Sequence, residues 1–135
     1  MASWLLKTEP QEYSFNDLVE AGTDVWDGVK NALAQQHLRQ MAVGDRCLIY
    51  HSAGERQAVG WATVSRAAYP DPEDVTGRRV VVELRAGAPL ARPVKLGTIR
   101  SEKVFGTSPL LRMTRLSVVP LTEEQVAAIE RLAGS

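Results

Sequence analysis

Cysteine is almost missing from this chain: Cys47 stands alone among 135 residues, so no internal disulfide can form. Histidine is nearly as scarce, and His37 and His51 with one thiol cannot fill the four ligands of a structural zinc site. Net charge is absent too, 16 Lys+Arg against 16 Asp+Glu, which weighs against a protein that grips long nucleic acid by bulk electrostatics. No apolar run approaches the roughly 20 residues of a membrane-spanning helix. Met1-Ala2-Ser3-Trp4 opens without the basic, apolar and cleavage-site succession of a secretory signal. The expectation is a soluble cytoplasmic protein with no membrane partner. The GxSxG, P-loop, GxGxxG and HExxH patterns are all missing, which removes support for hydrolase, NTPase, dinucleotide-binding and metalloprotease readings. No cofactor and no metal are expected.

What remains is ordinary globular composition. With 44% hydrophobic and 24% charged residues the chain is not disordered. At this length it can bury about two-thirds of its unfolded surface, as one domain over residues 1–135. Its punctuation separates short strands. Ser3 to Glu9 alternates Trp4, Leu6 and Thr8 with Leu5, Lys7 and Glu9, and Pro10 stops it. Ser14 with Asp17 reads as a capping box that opens a short helix, with Tyr13 as a staple on Leu18 and Gly22 as the stop. A second helix is expected from about Asn31 to Met41, with Ala34, Leu38 and Met41 on one face. Strands follow at Arg46–His51, Gln57–Ser65, Arg79–Arg85 and Thr114–Leu121, with Tyr69-Pro70-Asp71-Pro72 in a loop. Thr122 with Gln125 caps a last helix whose Val126, Ile129 and Leu132 face the core. The fold class is α+β: a curved five-stranded sheet or small barrel, or a slightly larger one, with flanking helices. Cys47 falls on an apolar strand and reads as core.

The neutral average hides an asymmetry. From Arg78 to Arg115 there are nine basic and two acidic residues, an excess of seven positive charges that could form one basic stripe. Arg78, Arg79, Arg100, Lys103 and Arg112 are the candidate phosphate contacts within it, joined by Lys30 and Arg39 from earlier in the chain. A solvated face is the plainer reading of the same charges.

Aromatic and amide groups gather at element ends. Val25-Trp26-Asp27-Gly28-Val29-Lys30-Asn31 puts an indole in a loop beside a glycine that lets backbone approach a ligand. A base stacked on Trp26 would gain about 1–3 kcal/mol while Asp27 or Asn31 reads its edge. Equally, Trp26 could plug the core and Asn31 cap the next helix. Lys7 and Glu9 share a strand face and could pair at a pocket or at the surface. Tyr50-His51-Ser52 closes a strand with three polar tips, and His51 reads as a structural hydrogen-bonding group rather than a general base.

Taken in order, Trp4-Leu5-Leu6-Lys7-Thr8-Glu9-Pro10, Trp26 to Asn31, Met41 to Asp45 with Tyr50-His51-Ser52, Val59-Gly60-Trp61-Ala62, Ala68 to Pro72 and Arg115-Leu116-Ser117-Val118 resemble the EVE domain. That family belongs to the PUA-like superfamily and is related to the YTH readers of modified RNA. The resemblance implies a curved PUA-like barrel with an aromatic pocket for a base flipped out of nucleic acid, a modified cytosine in DNA or a modified RNA base. It implies that Trp26 stacks on the base and that Lys7, Thr8 and Glu9 read its edge. Asp27, Gly28, Val29 and Asn31 would form the floor, and Tyr50, His51, Ser52 and Tyr69 the rim. The partners implied are nucleic acid with a modified base and a nuclease or modification-pathway protein that uses the readout.

The chain departs from the family in two places. Ala32-Leu33-Ala34-Gln35-Gln36 lacks the arginine the family commonly carries on that helix, and the segment after Pro72 is short, leaving a second aromatic wall to Tyr69 or Phe105. The Lys7-Thr8-Glu9 run is also similar to ASCH domains, which are associated with amide hydrolysis on acylated cytidine. On a strand, however, Thr8 points away from Lys7 and Glu9, so a lysine-activated nucleophile would require a bulge. A non-catalytic interaction domain is the third reading.

Overall fold

Trp4, Leu5 and Leu6 of β1 (Ser3–Thr8) are all buried, which requires cover on both faces of the strand. β1 accordingly lies inside the sheet, parallel to β3 (Arg46–His51) and antiparallel to β6 (Val118–Leu121). The computed structural model describes residues 1–134. It adds β2 (Thr23–Trp26), β4 (Gln57–Pro70) and β5 (Val80–Lys95) to give one six-stranded sheet in the order β2-β5-β4-β3-β1-β6. Around it lie α1 (Phe15–Ala21), α2 (Ala32–Gln40), α3 (Leu96–Arg100), a 3-10 turn at Lys103–Phe105, α4 (Pro109–Arg112) and α5 (Glu123–Ala133). The α+β class holds, and the sheet is curved but open.

Both capping boxes form. Ser14 accepts from the Asp17 amide while Asp17 accepts from that of Ser14, and Thr122 and Gln125 make the same exchange. Ala34, Leu38 and Met41 are buried on α2 and its C-cap, and Cys47 is fully buried in β3. Four register shifts between β4 and β5 interrupt their ladder, and bulges of this kind bend a long hairpin into a curved sheet. At Gly60 a Cβ would stand 2.4 Å from the Phe15 ring, so the bare backbone is what seats α1 against β4.

Several expected boundaries move. The described residues form six strands, the slightly larger of the expected sheets, because Thr23–Trp26 pairs with Arg85–Val82, and Trp26 therefore ends a strand instead of sitting in a loop. β4 runs on through Tyr69 and Pro70, so only Asp71 onward turns. β5 continues to Lys95 despite Pro89 and Pro93. β2 covers only Val82 to Arg85, and beyond it that flank of β5 is an edge that tolerates proline. β6 starts at Val118, leaving Thr114–Ser117 as a connection.

The long hairpin also breaks up the expected basic stripe. Arg78 and Arg79 sit in the β4–β5 turn, whereas Lys95 pairs with Gln57 at the opposite end of the hairpin. Arg92 lies against Gly134 at the C-terminus of α5, where a cation meets the negative end of the helix dipole.

Candidate nucleic-acid interface

β2 and β6 are the two outer strands of the sheet, yet residues of β2 and of the chain entering β6 meet around one opening. A cavity of about 670 Å³ lies there, lined by the end of β1 (Lys7, Thr8, Glu9), the chain from Asp24 to Val29, and the connection into β6 (Thr114, Arg115, Ser117). Glu12, Tyr13 and Ser52 complete it. Its size falls within the roughly 300–1,000 Å³ of small-ligand sites. The cavity between β2 and the entry to β6 is thus one concave feature among the described residues.

Each wall has a local cause. Pro10 ends β1, and Glu12 and Tyr13 fold back so that their amides donate to the Glu9 carbonyl at 2.9 Å. The Thr8 hydroxyl then donates to the Tyr13 carbonyl at 2.6 Å. This places the Tyr13 ring edge-on to Trp26, with centroids 6.0 Å apart and planes at 84°. The Tyr13 hydroxyl donates to Asp24 at 2.6 Å. Burial, and then this bond to Asp24, push the phenol well above its ordinary range. Lys7 donates from Nζ to the Thr114 carbonyl at 2.9 Å, and burial lowers its pKa. Lys7 and Glu9 form no ion pair: the ammonium is held by the chain entering β6 instead.

The floor turns on Gly28, at φ +75, a conformation costly to any residue with a Cβ. In the β2–β5 ladder Trp26 faces Val82, so residue 28 would face Val80 had the strand continued. The chain leaves, and the buried Gln35 of α2 takes the vacated place. Its Nε2 donates to the carbonyls of Val29 (2.7 Å) and Val80 (3.2 Å), and its Oε1 accepts from the Val80 amide at 2.9 Å.

Of the expected base-pocket residues, Lys7, Thr8, Glu9, Trp26, Asp27, Gly28, Val29 and Ser52 line this cavity, with Trp26 itself only 7% exposed. Asn31, Tyr50, His51 and Tyr69 do not. Asn31 caps α2, accepting from the Ala34 amide at 3.0 Å. Tyr50 is buried in the core, where desolvation raises its pKa. His51 accepts from the Phe15 amide at 3.1 Å through Nε2, which leaves Nδ1 as the proton carrier facing Glu55 at 2.9 Å. Tyr69 donates to Glu83 at 2.7 Å, with Arg66 over its ring. Phe105 is fully buried, so neither it nor Tyr69 forms a second aromatic wall; Tyr13 stands in that place.

A second cavity of about 360 Å³ shares Asp27, Gly28 and Val29 with the first and is bounded by Asp71, Asp74 and Arg79. Among the candidate phosphate contacts, Arg39 donates to the Arg78 carbonyl at 2.6 Å, which gathers Arg39, Arg78 and Arg79 at this end of the molecule. Lys30 is exposed on the floor loop, while Arg100, Lys103 and Arg112 are exposed on the α3–α4 segment. Arg115, inside the wider basic run but not among the expected contacts, lines the main cavity. Sequence reasoning also misses Tyr13, Asp24 and Gln35; the one signal for Gln35 is an amide set among apolar residues on the inward face of an amphipathic helix.

The family model described as EVE domain matches residues 2–132. The human thymocyte nuclear protein 1 is 27% identical over 90% of this chain and 69% of its own length. An NMR structure from Rhodopseudomonas palustris superimposes with a TM-score of 0.93 at 38% identity, covering 99% of this chain and 94% of that one. The crystal structure of human THYN1 protein in complex with 5-methylcytosine-containing DNA gives a TM-score of 0.91 at 25% identity, covering 100% and 99%. An ASCH protein from Zymomonas mobilis, at 13% identity and a TM-score of 0.60, shares the fold alone.

Proposed function

The chain belongs to the EVE domain family, and on that premise we propose that it binds DNA carrying a modified cytosine, received as a flipped base in the cavity between β1, β2 and the entry to β6. The observation that carries the proposal is the composition of that cavity: a right-angled Trp26–Tyr13 pair beside hydrogen-bonding side chains that have no partner among the described residues. Glu9, Glu12 and Asp27 offer acceptors for an exocyclic amine, while Arg115, Ser52 and Ser117 offer donors for ring acceptors. Val25 and Val29 supply apolar contact for a methyl group. The human relative crystallised with 5-methylcytosine DNA supports the choice of base and polymer.

Affinity then divides in two. Extrusion costs a few kcal/mol, which stacking and edge contacts offset, and phosphate contacts add a salt-dependent share. Arg39, Arg78 and Arg79 with Lys30 at one side, and Arg100, Lys103 and Arg112 on the α3–α4 segment, are the groups we assign to phosphates. Binding occurs without turnover in this reading. The Thr8 hydroxyl is engaged by the Tyr13 carbonyl and Lys7 by that of Thr114, so neither activates the other. A cytoplasmic setting suits a chain whose one thiol is buried and unpaired. A nuclease or modification-pathway protein would act on the readout.

The test is anisotropy titration of labelled oligonucleotides, single- and double-stranded, each with one cytosine or one 5-methylcytosine, and of RNA of the same sequence. Preference for the methylated DNA supports the proposal, and preference for RNA moves the polymer assignment. Release of acid from acylated cytidine in a Lys7-dependent manner would replace the proposal with the hydrolase reading.

A further inference from the structure

The base pocket carries an excess of negative charge. Four carboxylates line it, from Glu9, Glu12, Asp24 and Asp27, against two cations, Lys7 and Arg115. Lys7 is turned onto the Thr114 carbonyl. Asp24 is already engaged, through the Tyr13 hydroxyl and the Val25 amide. The side chains of Glu9, Glu12 and Asp27 are exposed and hold no hydrogen bond or ion pair among the described residues. Beside these carboxylates two aromatic rings meet at 84°.

Perpendicular rings flanked by carboxylates are the surroundings that favour an organic cation, because the ring quadrupole and the anions attract it together. A phosphate is repelled by the same lining, so the base enters alone and the backbone stays at the rim.

From this, and resting on the base-pocket reading above, we infer that the cavity prefers nucleobases carrying a formal positive charge, that is, N-alkylated bases such as 3-methylcytosine, over neutral C5-methylated cytosine. The N-alkylated ring keeps its exocyclic amine as a donor toward the carboxylates while its delocalised charge faces Tyr13 and Trp26. One carboxylate near such a charge at the partly solvated mouth of a pocket is worth roughly tenfold in affinity at low salt.

The experiment compares wild-type protein with Asp27→Asn, Glu12→Gln and the double variant. The substituted residues are exposed, so folding is not at stake. Labelled DNA oligonucleotides carry a single cytosine, 5-methylcytosine or 3-methylcytosine, and free 3-methylcytidine is run alongside. The expected result is roughly tenfold tighter binding of the 3-methylcytosine oligonucleotide than of the 5-methylcytosine one, a ratio that shrinks several-fold in each variant and collapses in the double variant. Binding of free 3-methylcytidine, weakened by the same substitutions, places the preference in the pocket rather than in duplex distortion. A 5-methylcytosine preference, or a ratio untouched by the double variant, overturns the inference while leaving the base-pocket reading intact. Failure to distinguish either modified base from plain cytosine overturns both.

Discussion

Replacing Gln35 with leucine tests how the pocket floor is held. The side chain is 5% exposed and meets three backbone groups: the carbonyls of Val29 and Val80 and the amide of Val80. Leucine removes all three bonds at nearly constant volume. Each buried backbone group left without a partner costs about 1–3 kcal/mol. The 3.2 Å bond is the weakest, so two groups dominate, for a gross loss of about 3–4 kcal/mol. Apolar burial of the leucine returns about 1 kcal/mol, leaving a net destabilisation of about 2–3 kcal/mol. The loss is local to Val29, and so discrimination between methylated and plain cytosine should fall by more than general DNA affinity does. Urea denaturation reads the first effect and anisotropy titration the second, with the exposed neighbour Gln36→Leu as a control expected within about 0.5 kcal/mol of wild type. A Gln35→Leu protein within about 0.5 kcal/mol of wild type and with full discrimination would refute the reasoning.

Asp45 is buried and accepts from the Trp4 indole at 3.1 Å and the Ala42 amide at 2.9 Å, so Asp45→Ala should lose about 2–3 kcal/mol in urea denaturation. The phenols of Tyr13, Tyr50 and Tyr69 are all raised from 10.0, by burial for the first two and by the bond to Glu83 for the third. A raised folded pKa means that stability is complete below about pH 10 and declines as pH climbs above it, with tyrosinate absorbance in the native protein lagging behind that of the unfolded chain. Neutralising Arg78 and Arg79 together should weaken binding to plain and methylated DNA alike and reduce the salt slope by about two, one for each phosphate left without its cation.

Elements fixed by neighbours in sequence can be read from the amino-acid order itself. Ser14 with Asp17 and Thr122 with Gln125 carry their caps within four residues, and the alternation of β1 and the helical face of Ala34, Leu38 and Met41 need no distant partner. β2 is not legible in this way. Four residues between Gly22 and Asp27 become a strand only because β5, some sixty residues later, offers Arg85 to Val82 as partners. The length of the β4–β5 hairpin is hidden for a related reason: Pro70 reads as a loop residue and the next strand as ending at Arg85, whereas bulges and an edge without a paired strand carry the hairpin through Pro70, Pro89 and Pro93.

The candidate site follows the same division. Trp26 and the Lys7-Thr8-Glu9 run can be singled out by residue type, and they do line one cavity. Asn31, Tyr50, His51 and Tyr69 have equally suitable chemistry but are engaged elsewhere, by a helix cap, the core, the Phe15 amide and Glu83. Residue type alone cannot separate a group that is free from one already satisfied by the backbone.

The central claim, that a modified base enters the cavity beside Trp26, is tested most directly by blocking the cavity without touching the core. Val25 is 38% exposed and lines the opening, so Val25→Trp fills it while the fold stands. Trp26→Ala removes the stacking wall in a parallel sample and also opens the core, since the ring is 7% exposed, so it is read beside urea denaturation of the same variant. The account predicts that wild-type protein binds an oligonucleotide with one 5-methylcytosine more tightly than its unmethylated twin at low salt. Both variants should lose that difference yet keep weak, salt-sensitive binding to either DNA. A methylation preference that survives in Val25→Trp would contradict the account and place recognition outside this cavity.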